Sequence, residues 1–359
     1  MMKRVVVRTL LVLFVIAFAI GAALWVRRHP LASNVAAARE TGPVPSEGDA
    51  ADDPAIWIDP VDSSRSTIIG TDKKSGLVVW DLDGRELQYM ELGRTNNVDV
   101  IASARLAGAD VALVGTSERV VDQVILLRVD PETRLLAAFP KNSFKVGVNP
   151  GGFTFYRSPK TDRLFVFVVG EDKEDEVANA VEQWEIIEGG DAAEPFSYEL
   201  RRRLRIETDA EGLLADHALG HLFVSEENEG IWRYDAEPDG GDARLAVDSL
   251  GFFGHLNHDV EGLALYETGP GTGYLIASCQ VTDDFVVLER EGTHEYVGRF
   301  EIVDTDRIDG VVHTDGVCAT SAALGPDFPT GVFVAQDDED DAGRQNFKIV
   351  SWDAIEAEL

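Results

Sequence analysis

The sequence predicts an all-β protein: a six-bladed β-propeller that follows an N-terminal signal or anchor segment. From Asp49 onward, short runs rich in Val, Ile, Phe, Tyr and Trp alternate with Gly, Asp and Pro, which is typical of β-strands joined by turns. An opening strand recurs six times at spacings of roughly 43 to 60 residues, the range of a four-stranded propeller blade. Two packed β-sandwiches would give a similar number of strands but would not explain the recurring opening strand.

The repeated unit has three recognisable strands. A second apolar strand follows the opening one, as in HLFVSEE or GYLIASC, and a third often ends in an aromatic residue, as in GIWRYDAE. The last unit ends at its third strand, 348–354, so we expect a segment within residues 31–50 to supply its outer strand. The six opening segments are AIWIDP from 55, VDVIAS from 98, GGFTFYRS from 151, EGLLAD from 211, EGLALYET from 261 and DGVCATSA from 315.

Residues 1–30 are predicted to be a signal peptide or a membrane anchor. Three cations precede an apolar run of about 18 residues from Thr9 to Val26, and Arg27 and Arg28 follow it. A buried core helix is the remaining alternative. Residues 31–47 are interpreted as a linker that can hold the closing strand, and 48–359 as the propeller. We therefore expect a secreted, periplasmic or anchored protein that meets the membrane only through its N-terminal segment.

The 359-residue chain is strongly acidic, with 64 Asp and Glu against 32 Lys and Arg and a formal net charge of −32. This charge excludes nucleic acid as a partner, since phosphate backbones require a basic face, and it favours a soluble monomer. Two interpretations of the acid stay open: a salt-tolerant surface, or clusters that bind hard cations such as Ca²⁺. The two cysteines, Cys279 and Cys318, lack CxxC spacing and predict either buried thiols or a single disulfide.

Acids and amides recur where the units open and where their second strands end. Equivalent positions of propeller blades surround one mouth of the channel, so we expect these oxygens to converge. Clustered carboxylates repel each other without a cation, and oxygen ligands without a Cys or His set indicate Ca²⁺ rather than Zn²⁺. The alternative is that each acid is a solvated loop residue or turn cap. The residues are Asp49, Asp52, Asp53, Asn96, Asn97, Asp99, Glu211, Glu226, Glu227, Asp259, Glu261, Gln280, Asp309, Asp315, Gln336, Asp337 and Asp338.

A few cations fall at the same place in the repeat as these acids. Lys73 and Lys74 lie in GTDKKSGL of the first unit, and Arg119 lies in GTSERVVD of the second. Beside a calcium cluster they would suit phosphate groups, and a metal-bound water would be the nucleophile. Other phosphatase chemistries find no support, because the sequence contains no Cys-x5-Arg, Arg-His-Gly, GxSxG or Walker A motif.

Several long segments resemble the β-propeller phytases, and the resemblance extends over roughly residues 45–357. The resemblance implies a six-bladed propeller that needs several Ca²⁺ ions for stability and activity. It implies hydrolysis of calcium-bound phytate (myo-inositol hexakisphosphate) in the manner of a 3-phytase, by direct attack of calcium-activated water. The segments are DAADDPAIWIDP (49–60), GTDKKSGLVVWDLDG (70–84), NNVDV (96–100), EGLLADHALGHLFVSEENEGIWRYDAEPDGG (211–241), DVEGLALY (259–266), GYLIASCQ (273–280), IDGVVHTDG (308–316) and NFKIVSWDAI (346–355).

The resemblance and the repeat positions together give the candidate site residues. The catalytic candidates are Asp52, Glu211, Asp259 and Glu261. The phosphate-binding candidates are Lys73, Arg119 and Lys173. The calcium-ligand candidates are Asp52, Asp53, Asn97, Glu211, Glu227, Asp259, Glu261, Gln280, Asp309, Asp315 and Asp337.

Two positions depart from the family pattern. Gly151 stands where the family often has a phosphate-contacting Tyr, and a longer acidic loop, Glu171–Ala180, replaces a short loop with a Lys. In that loop Lys173 is the candidate substitute, and we expect weaker or altered phosphate binding at this edge. Two other functions stay open: a non-catalytic calcium propeller that binds a ligand or partner protein, and a propeller lactonase-type hydrolase.

Overall fold

The computed structural model describes residues 30–106, 108–172, 179–206, 208–339 and 343–359. Six sheets, antiparallel apart from one added parallel strand, are arranged as the blades of a propeller around a central channel lined by their opening strands. The prediction of an all-β, six-bladed propeller is confirmed. Residues 1–29 of the predicted signal or anchor segment lie outside the described residues, and so does Lys173. Within the described ranges, no helix is long and apolar enough to span a membrane.

The blades are numbered 1 to 6 in the order of their opening strands along the chain, and two short N-terminal strands precede the first blade. The strands are β1 (Ser33–Ala36) and β2 (Arg39–Glu40); in blade 1 β3 (Ala51–Trp57), β4 (Thr67–Asp72), β5 (Gly76–Asp81) and β6 (Glu86–Glu91); in blade 2 β7 (Thr95–Leu106), β8 (Ala109–Glu118), β9 (Gln123–Asp130) and β10 (Leu135–Lys145); in blade 3 β11 (Val148–Arg157), β12 (Leu164–Asp172), β13 (Asn179–Asp191) and β14 (Glu194–Ile206); in blade 4 β15 (Ala210–Asp216), β16 (His221–Glu226), β17 (Gly230–Asp235) and β18 (Arg244–Ser249); in blade 5 β19 (Val260–Gly269), β20 (Thr272–Cys279), β21 (Asp284–Glu289) and β22 (Tyr296–Val303); and in blade 6 β23 (Val317–Thr320), β24 (Val332–Asp337) and β25 (Asn346–Ser351).

The N-terminal strands join the last two blades. β2 pairs antiparallel with β25, with Glu40 opposite Lys348, and is the outer strand of blade 6. β1 pairs parallel with β22 and is a fifth strand on blade 5. Because residues from both ends of the chain share one sheet, blade 6 closes the propeller.

The hydrophobic core lies between neighbouring blades. Six apolar clusters of the described chain each combine side chains from two adjacent blades, and most of these side chains are fully buried. Between blades 5 and 6, Tyr266 stacks on Trp352 with ring centroids 3.5 Å apart, at the start of the short C-terminal helix α1 (Trp352–Glu356). Each such buried aromatic side chain stabilises the fold by about 1.5–3 kcal/mol.

Candidate active site

The opening strands of blades 1 to 5 each begin with a β-bulge, where two residues face one residue of the second strand. Bulges re-aim side chains and are common beside active sites. The first bulge residue occupies the same register position in each blade, and Asp315 is its equivalent at the start of blade 6. We call this set the mouth ring: Asp52, Asn96, Gly151, Glu211, Glu261 and Asp315.

The second bulge residue explains why glycine so often follows the ring residue in the sequence. A Cβ on Gly152 would lie 1.9 Å from the Glu211 carbonyl oxygen, and a Cβ on Gly212 would lie 2.2 Å from that of Glu261. Such distances are forbidden, so these two glycines let blades 3 and 4 each contact the ring residue of the next blade. The ring residues of blades 3, 4 and 5 are thereby brought together.

Hydroxyl groups on the second strands hold this arrangement in place. Ser225 Oγ accepts a hydrogen bond from the Gly212 N–H (2.9 Å) and donates to the Glu261 carbonyl (2.7 Å). Ser117 Oγ does the same with the Asn97 N–H (3.1 Å) and the Gly151 carbonyl (2.6 Å). These serines were missed in the sequence, where the only available signal was a Ser repeated near the end of a second strand.

Lys73 lies among the carboxylates of blades 1 and 6. Its Nζ is 2.6 Å from Asp49 Oδ1, 3.4 Å from Asp52 Oδ2 and 3.0 Å from Asp315 Oδ2. Burial alone would lower the pKa of Lys73, but the charges of Asp52 and Asp315 raise it. Lys73 therefore keeps its positive charge at the mouth of the channel.

Arg119 provides a second cation, in the sector of blades 3 and 4. Its Nε donates to the Pro150 carbonyl (2.9 Å), and its Nη2 is 3.9 Å from Glu211 Oε1. The guanidinium is thus held against the backbone of β11 with a loose contact to one ring carboxylate. Lys73 and Arg119 both lie at the mouth.

The ring carboxylates influence one another electrostatically. Burial raises the pKa of Asp52 to about 8, opposed by Lys73 and reinforced by Asp315 and Glu211. Burial likewise raises the pKa of Glu261 well above its usual value, and Glu211 and Asp315 add to the effect. These carboxyl groups form one cluster whose negative charge exceeds the positive charge available.

Three further candidates border this cluster. Burial, with the charge of Glu211, raises the pKa of Glu227 to about 7, and Asp259 contributes to the same rise. Asp259 adopts a left-handed backbone (φ 57°), which is unusual for a residue other than glycine, and its carbonyl accepts the Gln280 N–H (2.9 Å). The Gln280 side chain donates to Asp315. The structure therefore brings Glu227, Asp259 and Gln280 to the same mouth.

Asp53 and Asn97 lie one residue deeper, at the top of the channel. Asp53 is buried, its Oδ2 accepts the Val98 N–H of the next blade (3.0 Å), and burial raises its pKa well above the usual range. Both residues line a channel cavity of about 870 Å³, whose middle section is apolar. Asp53 thus joins blade 1 to blade 2 beneath the ring.

Asp309 and Asp337 belong to a separate cluster around Lys348. The Lys348 ammonium contacts Glu40 (2.6 Å), Asp309 and Asp337 (3.2 Å). The side chains of Lys348 and Asp337 are fully buried. The sequence patterns did not single out Lys348 or Glu40; a lysine in the buried strand NFKIVS was the available signal.

The fit of the mouth to a hard cation can be judged from its donor atoms. In the described part of the chain, no three His, Cys, Asp or Glu side chains are already arranged to hold a metal ion. Three features nevertheless suit one: the donors are all oxygens, several carboxyl pKa values are raised, and the buried Asn96 Oδ1 accepts no hydrogen bond from any described residue. The chemistry of this donor set fits Ca²⁺.

Fold and site together define a six-bladed propeller with an acidic, oxygen-rich mouth that carries a lysine and an arginine. A family model described as phytase matches residues 3–359, and the chain belongs to the phytase family. It is 39% identical over 334 residues to the 3-phytase of Bacillus subtilis (strain 168), covering 90% of this chain and 85% of that protein.

Two solved structures are more distantly similar. One is a putative 6-phosphogluconolactonase from Bacteroides fragilis, with a TM-score of 0.40, 12% identity and coverage of 66% of this chain and 68% of that one. The other is a periplasmic gluconolactonase from Pseudomonas aeruginosa, with a TM-score of 0.43, 14% identity and coverage of 69% and 70%. Similarity at this level has no bearing on function.

Proposed function

We propose that this protein hydrolyses phosphate monoesters of phytate at the mouth ring, with bound Ca²⁺ and without a phospho-enzyme. The observation that carries the proposal is the position of Lys73 and Arg119 within a cluster of ring carboxylates. Membership of the phytase family and 39% identity to a 3-phytase support it. These two findings favour a phytase over the alternatives of a non-catalytic propeller and a lactonase-type hydrolase. In the reaction, water attacks phosphorus, the bond to the inositol oxygen breaks, and inorganic phosphate and an alcohol are released.

The two cations would bind phosphate oxygens. Arg119 presents a planar fork of N–H donors that suits a phosphate, and its contact with Glu211 is long enough to exchange for a substrate oxygen. Lys73 is a point charge between two blades, with about a fifth of its side chain exposed. Together they would hold phosphate groups at the mouth and orient the ester bond.

The carboxylates and amides around them would hold the calcium ions. The candidates at the mouth are Asp52, Glu211, Glu227, Asp259, Glu261, Gln280 and Asp315, with Asp53 and Asn97 beneath. When bound, Ca²⁺ would neutralise ring carboxylates and substrate phosphates and lower the pKa of the attacking water. In the cluster of Asp309 and Asp337, Lys348 already supplies a compensating charge, and calcium there stays a prediction from sequence.

The test is phosphate release from phytate by the purified protein, in calcium and in EGTA. We expect EGTA to lower both the activity and the Tm, since an ion that binds only the native state stabilises it, by about 2.7 kcal/mol at 100 times its Kd. Release that is unchanged in EGTA would contradict the calcium dependence, and no release in calcium would contradict the proposed reaction.

Two substitutions test the role of the cations. Arg119→Gln is expected to reduce kcat/KM on phytate by about 10²-fold, as for removal of one charge-stabilising donor. Arg105→Gln is the matched control, because Arg105 is exposed at the end of β7 away from the mouth and pairs with Asp110 and Glu188. Equal activity of the two variants would remove Arg119 from phosphate binding.

We also propose that residues 1–30 direct the propeller out of the cytoplasm, as a signal peptide or an anchor, and that the propeller is a monomer. The support is the apolar run between basic flanks and the net charge of −32. Cell fractionation and light scattering of the purified protein would test the two statements.

A further inference from the structure

The mouth ring has an acidic half and a neutral half. Its positions in blades 4, 5, 6 and 1 carry carboxylates, whereas blades 2 and 3 contribute Asn96 and Gly151. Carboxylates repel a polyanion wherever no cation compensates them, so the phosphates that are not being cleaved should lie over the neutral half. Further contacts with a large polyanionic substrate would therefore come from the loops that border this half.

Three loops that carry cations border the mouth at blades 1 and 2, and backbone hydrogen bonds tie them together. The Ser75 carbonyl, in the loop of Lys73, accepts the Leu92 N–H (2.9 Å). The Arg119 N–H donates to the Arg94 carbonyl (2.8 Å). Arg94 thus lies in the middle loop, directly before β7, the strand that carries the ring residue of blade 2. The backbone fixes this third cation between the other two.

Arg94 differs from the other two cations in having no partner. Its side chain is exposed and, within the described part of the chain, makes no ion pair or hydrogen bond. Glu118 packs against the preceding residue, Gly93, where a Cβ would lie 2.7 Å from Glu118 Oε1. This acid is not free to pair with Arg94, because it is buried and already accepts the N–H groups of Val120 (2.6 Å) and Val121 (3.3 Å). The donors of the Arg94 guanidinium are therefore all available to a ligand.

We propose that Arg94 is a specificity-determining residue: it binds a phosphate that is not being cleaved, outside the ring, and so favours polyphosphorylated esters over monoesters. The proposal rests on the proposed function and adds a contact that the site of Lys73 and Arg119 does not contain. A monoester has one phosphate, which the ring site would hold, and leaves Arg94 without a ligand. A polyphosphate places a second phosphate on the exposed guanidinium, where charge-assisted hydrogen bonds strengthen binding.

The first experiment compares phytate, a polyphosphate, with inorganic phosphate, a single anion, on the purified full-length protein in calcium. Arg94→Gln is expected to raise KM for phytate about fivefold, the size of one exposed charge contact, with kcat within about twofold, because uniform binding is lost. The Kd of inorganic phosphate, from titration calorimetry, should stay within about twofold of wild type. Arg94→Lys should recover part of the loss, since it restores the charge. Arg128→Gln is the matched control, because Arg128 is an exposed arginine in the half of β9 away from the mouth.

The second experiment separates binding from turnover. Its probe is myo-inositol hexakissulfate, a polyanion built on the same ring that has no phosphate to release. Its Kd should rise about fivefold in Arg94→Gln, and the difference from wild type should shrink at high salt, while the Tm stays unchanged. Wild-type protein that releases no phosphate from phytate would contradict the proposed function, and the Kd of the hexakissulfate would still decide the role of Arg94.

Three outcomes would overturn the role of Arg94. One is the same hexakissulfate Kd in Arg94→Gln as in the wild type, or no binding to either. Another is an equal loss of affinity for inorganic phosphate and for the polyanion, which would place Arg94 in the ring site and not in a separate contact. The third is a lower Tm in Arg94→Gln with unchanged KM, which would show a structural role.

Discussion

Lys73 and Lys348 each contact three carboxylates, but the two clusters have different surroundings. The partners of Lys348 come from β2, β24 and the loop before β23, and its side chain is fully buried. Lys73 is partly exposed, and its partners Asp52 and Asp315 are coupled to further ring carboxylates. Carboxylates outnumber the lysine in both clusters, but the Lys348 cluster is buried, whereas at the mouth Glu211 and Glu261 add to the partners of Lys73 and the cluster is partly exposed. The larger and more accessible excess of carboxylates, and not the lysine itself, distinguishes a binding site from a structural contact.

Removing the buried lysine is expected to have the largest effect on stability. Lys348→Met leaves Asp337 buried without its cation and removes the contact of Lys348 with Glu40 of β2, and breaking a buried ion pair costs about 3–5 kcal/mol. Urea denaturation measures the loss. Lys74→Met, on the surface, should stay within about 0.5 kcal/mol of wild type. If Lys348→Met is as stable as Lys74→Met, then the closing strand does not depend on this cluster.

Removing a ring carboxylate should strongly reduce activity and should not reduce stability. Glu261→Gln is expected to lower kcat on phytate by more than about 10²-fold, and Glu211→Gln to do the same, because fewer ligands remain for a cation. In EGTA the Tm of Glu261→Gln should equal or exceed that of the wild type, since burial and Glu211 disfavour the charged form of Glu261. The exposed Glu229→Gln is the control. Wild-type turnover in Glu261→Gln would exclude Glu261 from the mechanism.

The sequence could predict the fold because the repeat itself encodes it. Six opening strands at a regular spacing require six similar sheets, and the missing outer strand of the last unit requires a partner from elsewhere in the chain. The repeat also predicts which residues are equivalent, so the side chains of the mouth ring could be listed from the sequence as candidates.

Contacts between distant segments could not be predicted in this way. Glu40 and Lys348 are 308 positions apart, and nothing in the periodicity links them. Asp309 and Asp337 contact Lys348 away from the ring, and Arg119 of blade 2 donates to the Pro150 carbonyl of blade 3. Such pairings arise from packing in three dimensions, which a one-dimensional repeat does not record.

The pH dependence of the calcium-free protein separates the two clusters further. Burial raises the pKa of Asp52 to about 8 and that of Asp337 to about 6. A carboxyl group with a raised pKa binds more protons in the folded state than in the unfolded state, so it stabilises the fold at low pH and this contribution is lost as the pH rises. Asp337 therefore loses its proton around pH 6, whereas Asp52 titrates around pH 8.

We therefore expect the Tm in EGTA to fall between pH 6 and 8, by an amount that reflects mainly the mouth. Asp52→Asn should flatten this fall, because the substituted side chain no longer titrates, whereas Lys74→Met should leave the slope unchanged. Saturating Ca²⁺ should also flatten or reverse it, since a cation binds the deprotonated form and offsets the repulsion. Differential scanning calorimetry in pH steps measures all four profiles. A calcium-free Tm that rises from pH 6 to 8 would show that the mouth carries no excess charge.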